Sequence, residues 1–362
     1  MFKRGNSIQR RLAELPLHNG KAPSWLFQRM KRLAREIVFL FVIEGRVGDL
    51  IRNLSDPYWF QALGCVLGFD WHSSGLTTTT GGALKEGLKE ISLETGLFIV
   101  GGKGKTALHT PDEIRRLADR AGFDGERWIN LSRLVARVDN NAIQDGYQLY
   151  YHLLVFTKGG AWCVIQQGMN ANNRYARRYH WLGEEVKSFV DEPHKAICSE
   201  RFEDLVLNLV ARESEETRKV ITELSRESPD KVVKDWEKVI LHLPEHHPVS
   251  ANEIKPQNLR SILLETYQNP PRDFQSLLLY QGVGAKTLRA LSLISELVYG
   301  QPPSFKDPAR FSFAHGGKDG HPYPVDRKLY DTSIEILEKA IKKAKLGQRE
   351  EVNALRRLSL FF

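Results

Sequence analysis

Two runs of β-branched and aromatic residues, 148–156 and 161–167, stand on either side of Lys158-Gly159-Gly160. Runs of this kind joined by a short glycine turn predict a β-hairpin, so the chain must build a sheet. Residues 97–100 predict a further short strand. Helical patterning surrounds these strands. Over residues 25–43, Leu26, Met30, Leu33 and Ile37 recur at spacings of three and four, the signature of one buried helix face, with Lys31, Arg32 and Arg35 largely on another. Residues 58–69, dense in aromatic and small side chains, predict a buried helix or strand pair. The stretch His72-Ser73-Ser74-Gly75, four threonines and Gly81-Gly82 has the composition of a loop or of strands with polar tips. Thr110-Pro111-Asp112-Glu113 predicts a helix start, with a hydroxyl cap, proline at the first helical position and glutamate three residues on.

Beyond Glu200 the β signal disappears and the pattern becomes almost wholly helical, so a boundary is expected between Asp191 and Glu200. The fold class this predicts is α+β. A mixed α/β domain occupies residues 1–191, an acidic helical linker 192–250, and an all-α domain 251–362; 362 residues suffice for about two or three domains. Charge follows the same division. Residues 1–52 hold 11 Lys and Arg against 4 Asp and Glu, residues 191–250 hold 9 against 14, and residues 251–362 hold 17 against 12. Two basic regions thus flank an acidic waist, and the overall charge of +8 favours polyanionic partners.

Several classes are excluded. Cys65, Cys163 and Cys198 lie far apart with no CxxC pair, which removes a zinc site, an iron–sulfur cluster and a disulfide framework and leaves reduced structural thiols. The basic start carries no uninterrupted apolar segment after it, and the longest apolar run, 37–43, is far short of the roughly 20 residues that span a bilayer. The expectation is a cytoplasmic protein with no membrane partner. Gly101-Gly102-Lys103-Gly104-Lys105-Thr106 fails as a nucleotide loop because Gly-x4-Gly-Lys-Thr requires glycine where Ile99 stands, and no helix start is expected directly after it. No cofactor is expected.

The strongest functional signal is Leu277-Leu278-Leu279-Tyr280-Gln281-Gly282-Val283-Gly284-Ala285-Lys286-Thr287-Leu288-Arg289-Ala290-Leu291. An apolar helix end, Gly-x-Gly, a basic position and a second apolar helix resemble a helix-hairpin-helix. Gly282 and Gly284 would supply positive φ and close approach to a phosphate, and the amides opening the second helix would face the anion. Lys286, Thr287 and Arg289 would add donors. Such contact is salt-sensitive and sequence-independent. The alternative is a tight αα-turn whose glycines serve packing.

Downstream, His321-Pro322-Tyr323-Pro324-Val325-Asp326-Arg327-Lys328 precedes a further helical pattern. A hairpin lysine followed by Pro-Val-Asp at a helix start is similar to the DNA glycosylases of the helix-hairpin-helix superfamily, the endonuclease III type. The resemblance implies Lys286 as a Schiff-base nucleophile and Asp326 as the activating carboxylate, chemistry that a desolvated lysine and a nearby carboxylate can perform. The two residues stand 40 apart, about twice the family's spacing, and the cluster cysteines of many relatives have no counterpart. Lys286 as a plain phosphate contact and Asp326 as an ordinary N-cap are the alternatives. The interval 301–323 interleaves Lys306, Arg310, His315 and Lys318 with Phe305, Phe311, Phe313 and Tyr323, suited to an unstacked base or to a loop packed by its own rings.

The chain as a whole resembles the uncharacterised DUF763 family, through Leu15-Pro16-Leu17-His18-Asn19-Gly20-Lys21-Ala22-Pro23, Trp59-Phe60-Gln61-Ala62-Leu63-Gly64 with Phe69-Asp70-Trp71-His72-Ser73-Ser74-Gly75, and Ile143-Gln144-Asp145-Gly146-Tyr147-Gln148. That family brings no assigned activity. Asp70, His72, Asp139, Asp145, His152 and His180 could supply metal ligands for phosphodiester hydrolysis, yet their spacing matches no nuclease signature and no metal is assigned. Arg174, Arg177 and Arg178, with Tyr175, Tyr179 and Trp181, have the composition of a nucleic-acid loop or of a solvated charged face. The expected function is a DNA-binding protein of DNA repair that contacts the phosphate backbone, acting as a glycosylase or abasic-site lyase through Lys286 and Asp326. The alternatives are a metal-dependent nuclease with its site in the amino-terminal half, and a non-catalytic DNA-structure-binding protein.

Overall fold

A computed structural model describes residues 22–69, 74–199, 201–243, 247, 249, 251 and 254–310, with single helical positions at 335, 339, 342, 354 and 355. Helix α1 (Ser24–Ile43) buries Met30, Leu33 and Ile37, as its spacing predicts, and Phe41 as well, while Leu26 is only partly buried. It is followed by α2 (Val47–Ser55) and α3 (Pro57–Leu67). Asp56 caps α3 by accepting from the amides of Tyr58 and Trp59, and Gly68 ends it in the left-handed region. Helix α4 (Gly75–Leu88) takes in the threonines and Gly81-Gly82, correcting the expectation of a loop or polar strands. The cause is close packing. A Cβ at Gly87 would lie 2.6 Å from the Lys31 carbonyl oxygen of α1, so glycine here admits a neighbouring backbone that local propensity does not register.

The turn α5 (Ser92–Thr95) leads into strand β1 (Leu97–Lys103). A single helical turn, α6 (Lys105–Leu108), does open directly after the glycine loop, contrary to expectation, and α7 (Thr110–Ala121) and α8 (Gly125–Arg137) follow. The predicted capping box at Thr110 is absent. The Thr110 hydroxyl donates back to the Ala107 carbonyl, and Glu113 is drawn to Lys85 and to the Gly101 amide. After a π-helical turn (Val138–Ala142) come β2 (Ile143–Gln144), β3 (Tyr147–Thr157), β4 (Trp162–Asn170), β5 (Ala176–Leu182), β6 (Ala196–Ser199) and β7 (Leu207–Asn208). The predicted hairpin is β3–β4, paired from Tyr147 with Asn170 to Phe156 with Trp162.

Strands β1-β3-β4-β5-β6 form an antiparallel sheet in that order, while β2 pairs with β7. Side chains alternate across the sheet with period two. Ile99, Leu153, Val155, Cys163, Ile165 and Leu182 face the layer made by α1 to α4. Phe98, Val100, Leu154, Phe156, Val164, Tyr179 and Trp181 face the opposite layer. Both faces are covered, which is why the strands read as nearly continuous apolar runs.

That second layer includes α7 and α8 together with α9 (Glu215–Arg226), α10 (Pro229–His242), α11 (Pro256–Gln268), α12 (Phe274–Leu279) and α13 (Ala285–Leu297). One apolar cluster runs from Phe98 to Ala309, so residues on both sides of the 191–200 segment share a core. The carboxyl-terminal part is helical as expected, except that β7 at Leu207–Asn208 carries β structure past Glu200. Residues 301–310 form an extended strap. Its Ser304 and Phe305 carbonyls accept from the Asn208 and Val206 amides, and its Arg310 amide donates to Ile197 of the edge strand β6.

Candidate nucleic-acid interface

Asp273 opens α12 with a capping box formed with Ser276. The helix ends at Tyr280, and the chain turns through Gly282 at φ +84° to Gly284, the extended N-cap of α13. The positive φ needs glycine, and a Cβ at Gly282 would also press to 3.3 Å from Ile262. Leu277, Leu278, Val283, Leu288 and Leu291 are buried and anchor the hairpin, while Gly282 and Lys286 stay exposed at its tip. Among the described residues no side chain caps the amides that open α13, and its positive end lies beside Lys286. Thr287 is turned into the core, and the Arg289 guanidinium donates to the Gln144 side chain at 3.0 Å. Of the hairpin donors expected from sequence, Gly282, Gly284 and Lys286 therefore share the tip; Thr287 and Arg289 do not.

The hairpin is braced by the amino-terminal half. Arg137, at the end of α8, donates to the carbonyls of Leu278 and Tyr280 at 2.5 and 2.6 Å, and Gln144 of β2 donates to the Ala285 carbonyl at 2.8 Å. These contacts join residues more than 140 positions apart, and no periodicity signals them.

Asp139 lies on the π-helical turn between those two braces and is fully buried. Its carboxylate accepts from Gln166 Nε2 at 2.5 Å, Trp181 Nε1 at 3.0 Å and His194 Nε2 at 2.5 Å. Asp145 accepts from the Tyr147 amide, the Tyr179 hydroxyl and Arg177. Burial raises its carboxyl pKa, and the Arg177 charge opposes that rise. His152 exchanges hydrogen bonds with Ser132 at 2.9 Å and Gln166 at 2.8 Å, and His180 packs edge-on against Phe60. Among the described residues no group of three or more His, Cys, Asp or Glu is arranged to hold a metal ion. Asp70 and His72 fall outside the described residues, as does Asp326.

Arg177 and Arg178 occupy strand β5, not a loop, and both are buried. Arg177 pairs with Asp145 at 2.9 Å and with Asp307 at 2.7 Å; Arg178 lies over the Phe60 ring and donates to Gln61 and Thr77. Neither guanidinium can reach a phosphate from these positions. Arg174 alone of the three is exposed, in the turn before β5 at φ +61°. Sequence reasoning missed Arg137, Gln166, His194 and Asp307. None belongs to a motif, and only the fold brings them to their partners.

The two interior histidines give a pH prediction. Burial lowers the pKa of His152, and burial together with the Arg178 charge lowers that of His180 further below the ordinary 6.5. Each is neutral in the fold and takes a proton more readily when unfolded. Stability is therefore fully present above about pH 6.5 and is lost as pH falls below it toward each depressed folded pKa, by at most about 1.4 kcal/mol per pH unit per histidine. Urea unfolding at pH 7, 6 and 5 is expected to show this slope, reduced in His152→Gln. An acid slope unchanged by that substitution would exclude His152 as a source.

The family model described as "Protein of unknown function (DUF763)" matches residues 11–325, and the chain belongs to that family. No curated protein and no solved structure gives a significant match.

Proposed function

We propose that this DUF763 protein binds the phosphate backbone of DNA through the α12–α13 hairpin, in a DNA-repair role. The observation that carries this reading is the hairpin tip itself. A left-handed glycine, a helix start that no described side chain caps and an exposed lysine lie together at the hairpin, and buried leucines with Arg137 and Gln144 brace it. Backbone amides at a helix start form an anion site without reading bases. Arg174 is a further exposed cation available for a phosphate.

The exposed setting of Lys286 suits a phosphate contact. The abasic-site lyase reading assigns it a further step. Its amine adds to C1′ of the ring-opened sugar, water leaves, and an iminium forms that borohydride can reduce to a stable amine. Within the stretch proposed as a base pocket, Phe305 packs against the core and its carbonyl receives the Val206 amide, so 301–310 serves as a strap. A metal-dependent nuclease on Asp139 and Asp145 has less support, since each carboxylate is already held by three donors.

Fluorescence anisotropy with duplexes of unrelated sequence is expected to give similar affinities that fall with salt. Lys286→Ala is expected to weaken all of them alike and to reduce the log–log salt slope by about 1. Strong preference for one sequence, or a slope untouched by Lys286→Ala, would overturn hairpin docking. Borohydride trapping on abasic DNA then separates the chemistries. An adduct lost in Lys286→Ala establishes the lyase, and its absence with binding intact leaves a non-catalytic binder.

A further inference from the structure

The basic glycine loop 101–106 fails as a nucleotide loop and has no part in the hairpin, yet it ends strand β1 with Lys103 and opens α6 with Lys105. Its base is held firmly. The Gly101 amide donates to Glu113 at 3.0 Å, Lys85 donates to the Gly101 carbonyl at 2.7 Å, and a Cβ at Gly101 would lie 2.1 Å from the His152 carbonyl oxygen. The Gly104 amide then ties the loop to the Tyr150 carbonyl at 2.7 Å. Beyond this base Lys103, Gly104, Lys105 and Thr106 are exposed. Cations on a fixed backbone have less freedom to lose on meeting a partner than cations on a mobile one.

The sheet register brings this loop to the same end of the sheet as the hairpin. Lys103 stands opposite Tyr151, and Tyr147 opposite Asn170, so the end of β1, the start of β3 and the end of β4 share one rim. The hairpin's brace is fastened to that rim. Asn140 of the π-helical turn accepts from the Leu149 amide at 3.2 Å, and Gln144, just before β3, donates to the Ala285 carbonyl. Loop and brace therefore attach at consecutive residues, Tyr150 and Leu149, where the β3–β4 register shifts. The exposed Arg174, in the turn from β4 to β5, stands on the same rim.

Charge on the loop is not neutralised. The carboxylates that follow it are matched elsewhere, Glu113 by Lys85 at 2.7 Å and Asp112 by Arg115 at 3.1 Å. Among the described residues neither Lys103 nor Lys105 pairs with a carboxylate; Lys103 lies over the Tyr150 ring, 5.6 Å from its centre, which leaves its charge in place. The cavity beside Thr106 mixes both signs, Glu86 and Asp119 with Lys89, Arg116 and Arg120, and favours no anion. Glu203 accepts from the Tyr147 hydroxyl and the Asn173 side chain, so it offsets the charge of Arg174 next to it. The two loop lysines thus carry the argument.

We propose that the 103–106 loop is a second contact for the DNA phosphate backbone, with Lys103 and Lys105 engaging the same duplex as the α12–α13 hairpin across this rim. It rests on the hairpin reading and enlarges its footprint.

Fluorescence anisotropy over a salt series on one duplex tests this with two double substitutions, Lys103→Gln/Lys105→Gln and Lys158→Gln/Lys187→Gln. Each removes two exposed lysines, so the fold is kept and the loss of charge is equal. Lys158 lies in the β3–β4 turn and Lys187 beyond the end of β5, at the opposite rim. The loop pair is expected to weaken binding about tenfold or more at low salt and to reduce the log–log slope by about 2, whereas the opposite pair leaves the slope as in wild type. Adding Lys286→Ala to the loop pair is expected to bring the reduction to about 3. A loop pair that behaves like the opposite pair, while Lys286→Ala still lowers the slope, overturns the second contact and leaves the hairpin standing. A slope untouched by Lys286→Ala overturns the hairpin reading and the shared duplex with it.

Discussion

Arg177→Ala is expected to cost the fold about 3–5 kcal/mol, the range for removing one partner of a buried ion pair. The guanidinium side chain is fully buried and lies between two carboxylates that are themselves almost wholly enclosed, Asp145 and Asp307. Its plane also covers the Tyr147 ring at 4.4 Å. Truncation leaves both carboxylates in a weakly polarisable interior without their counter-charge. Burial already pushes the Asp145 carboxyl upward, and with Arg177 gone only the Tyr179 hydroxyl and the Tyr147 amide oppose that. The variant is thus expected to recover part of its loss as pH falls, because Asp145 takes a proton more readily once the Arg177 charge is gone. Denaturant unfolding at pH 7 and pH 5 reads both effects. A loss below about 1 kcal/mol at pH 7 would mean that the pair is not buried as described. The damage is also expected to be directional. Arg177 is the charged link from strand β5 to the strap, so hydrogen exchange should rise first in residues 301–310, where Asp307 also accepts the Glu203 and Ala309 amides.

Why this residue was misread from sequence illustrates where the reading succeeded and where it stopped. The β3–β4 hairpin, the α1 face and the apolar turn at 277–291 are all local, set by periodicity and glycine within a few residues, and they stand where the patterns put them. Arg177 and Arg178 carry a local signal too, but one that favours the wrong environment, because arginine beside aromatic residues describes a nucleic-acid loop and a buried ion pair equally well. What distinguishes them is Asp307, 130 residues away, and Gln61, 117 away. The glycine- and threonine-rich segment failed for the same reason. Its helix α4 depends on how near α1 can come, a property of the packed pair. His194 and Arg137 could not be found at all, since each gains meaning only from a partner that the fold delivers.

Asp139→Ala is expected to cost about 3–5 kcal/mol as well, by a different route. Three donors, from Gln166, Trp181 and His194, converge on this fully buried carboxylate, and alanine leaves all three facing an apolar void. Each buried donor left without a partner costs about 1–3 kcal/mol, discounted here because Gln166 also donates to the Val135 carbonyl and its amide can turn. Asp139→Asn keeps the shape and one acceptor oxygen but points an amide nitrogen at donors, so an intermediate loss is expected. Trp181 supplies a second readout: with its indole N–H freed and the His194 ring no longer fixed beside it, the near-ultraviolet dichroism of the tryptophans is expected to diminish. The consequence reaches further than stability. Asp139 sits on the π-helical turn between Arg137 and Gln144, the two residues that brace the hairpin. If that turn relaxes, the bracing loosens, and a residue far from the hairpin tip changes DNA affinity by positioning alone. On the proposed function Asp139→Asn is therefore expected to weaken duplex binding several-fold while leaving the salt slope, which counts phosphate contacts, as in wild type. A reduced slope would place Asp139 nearer the DNA than this fold allows, and unchanged affinity would show that the hairpin stands without its brace.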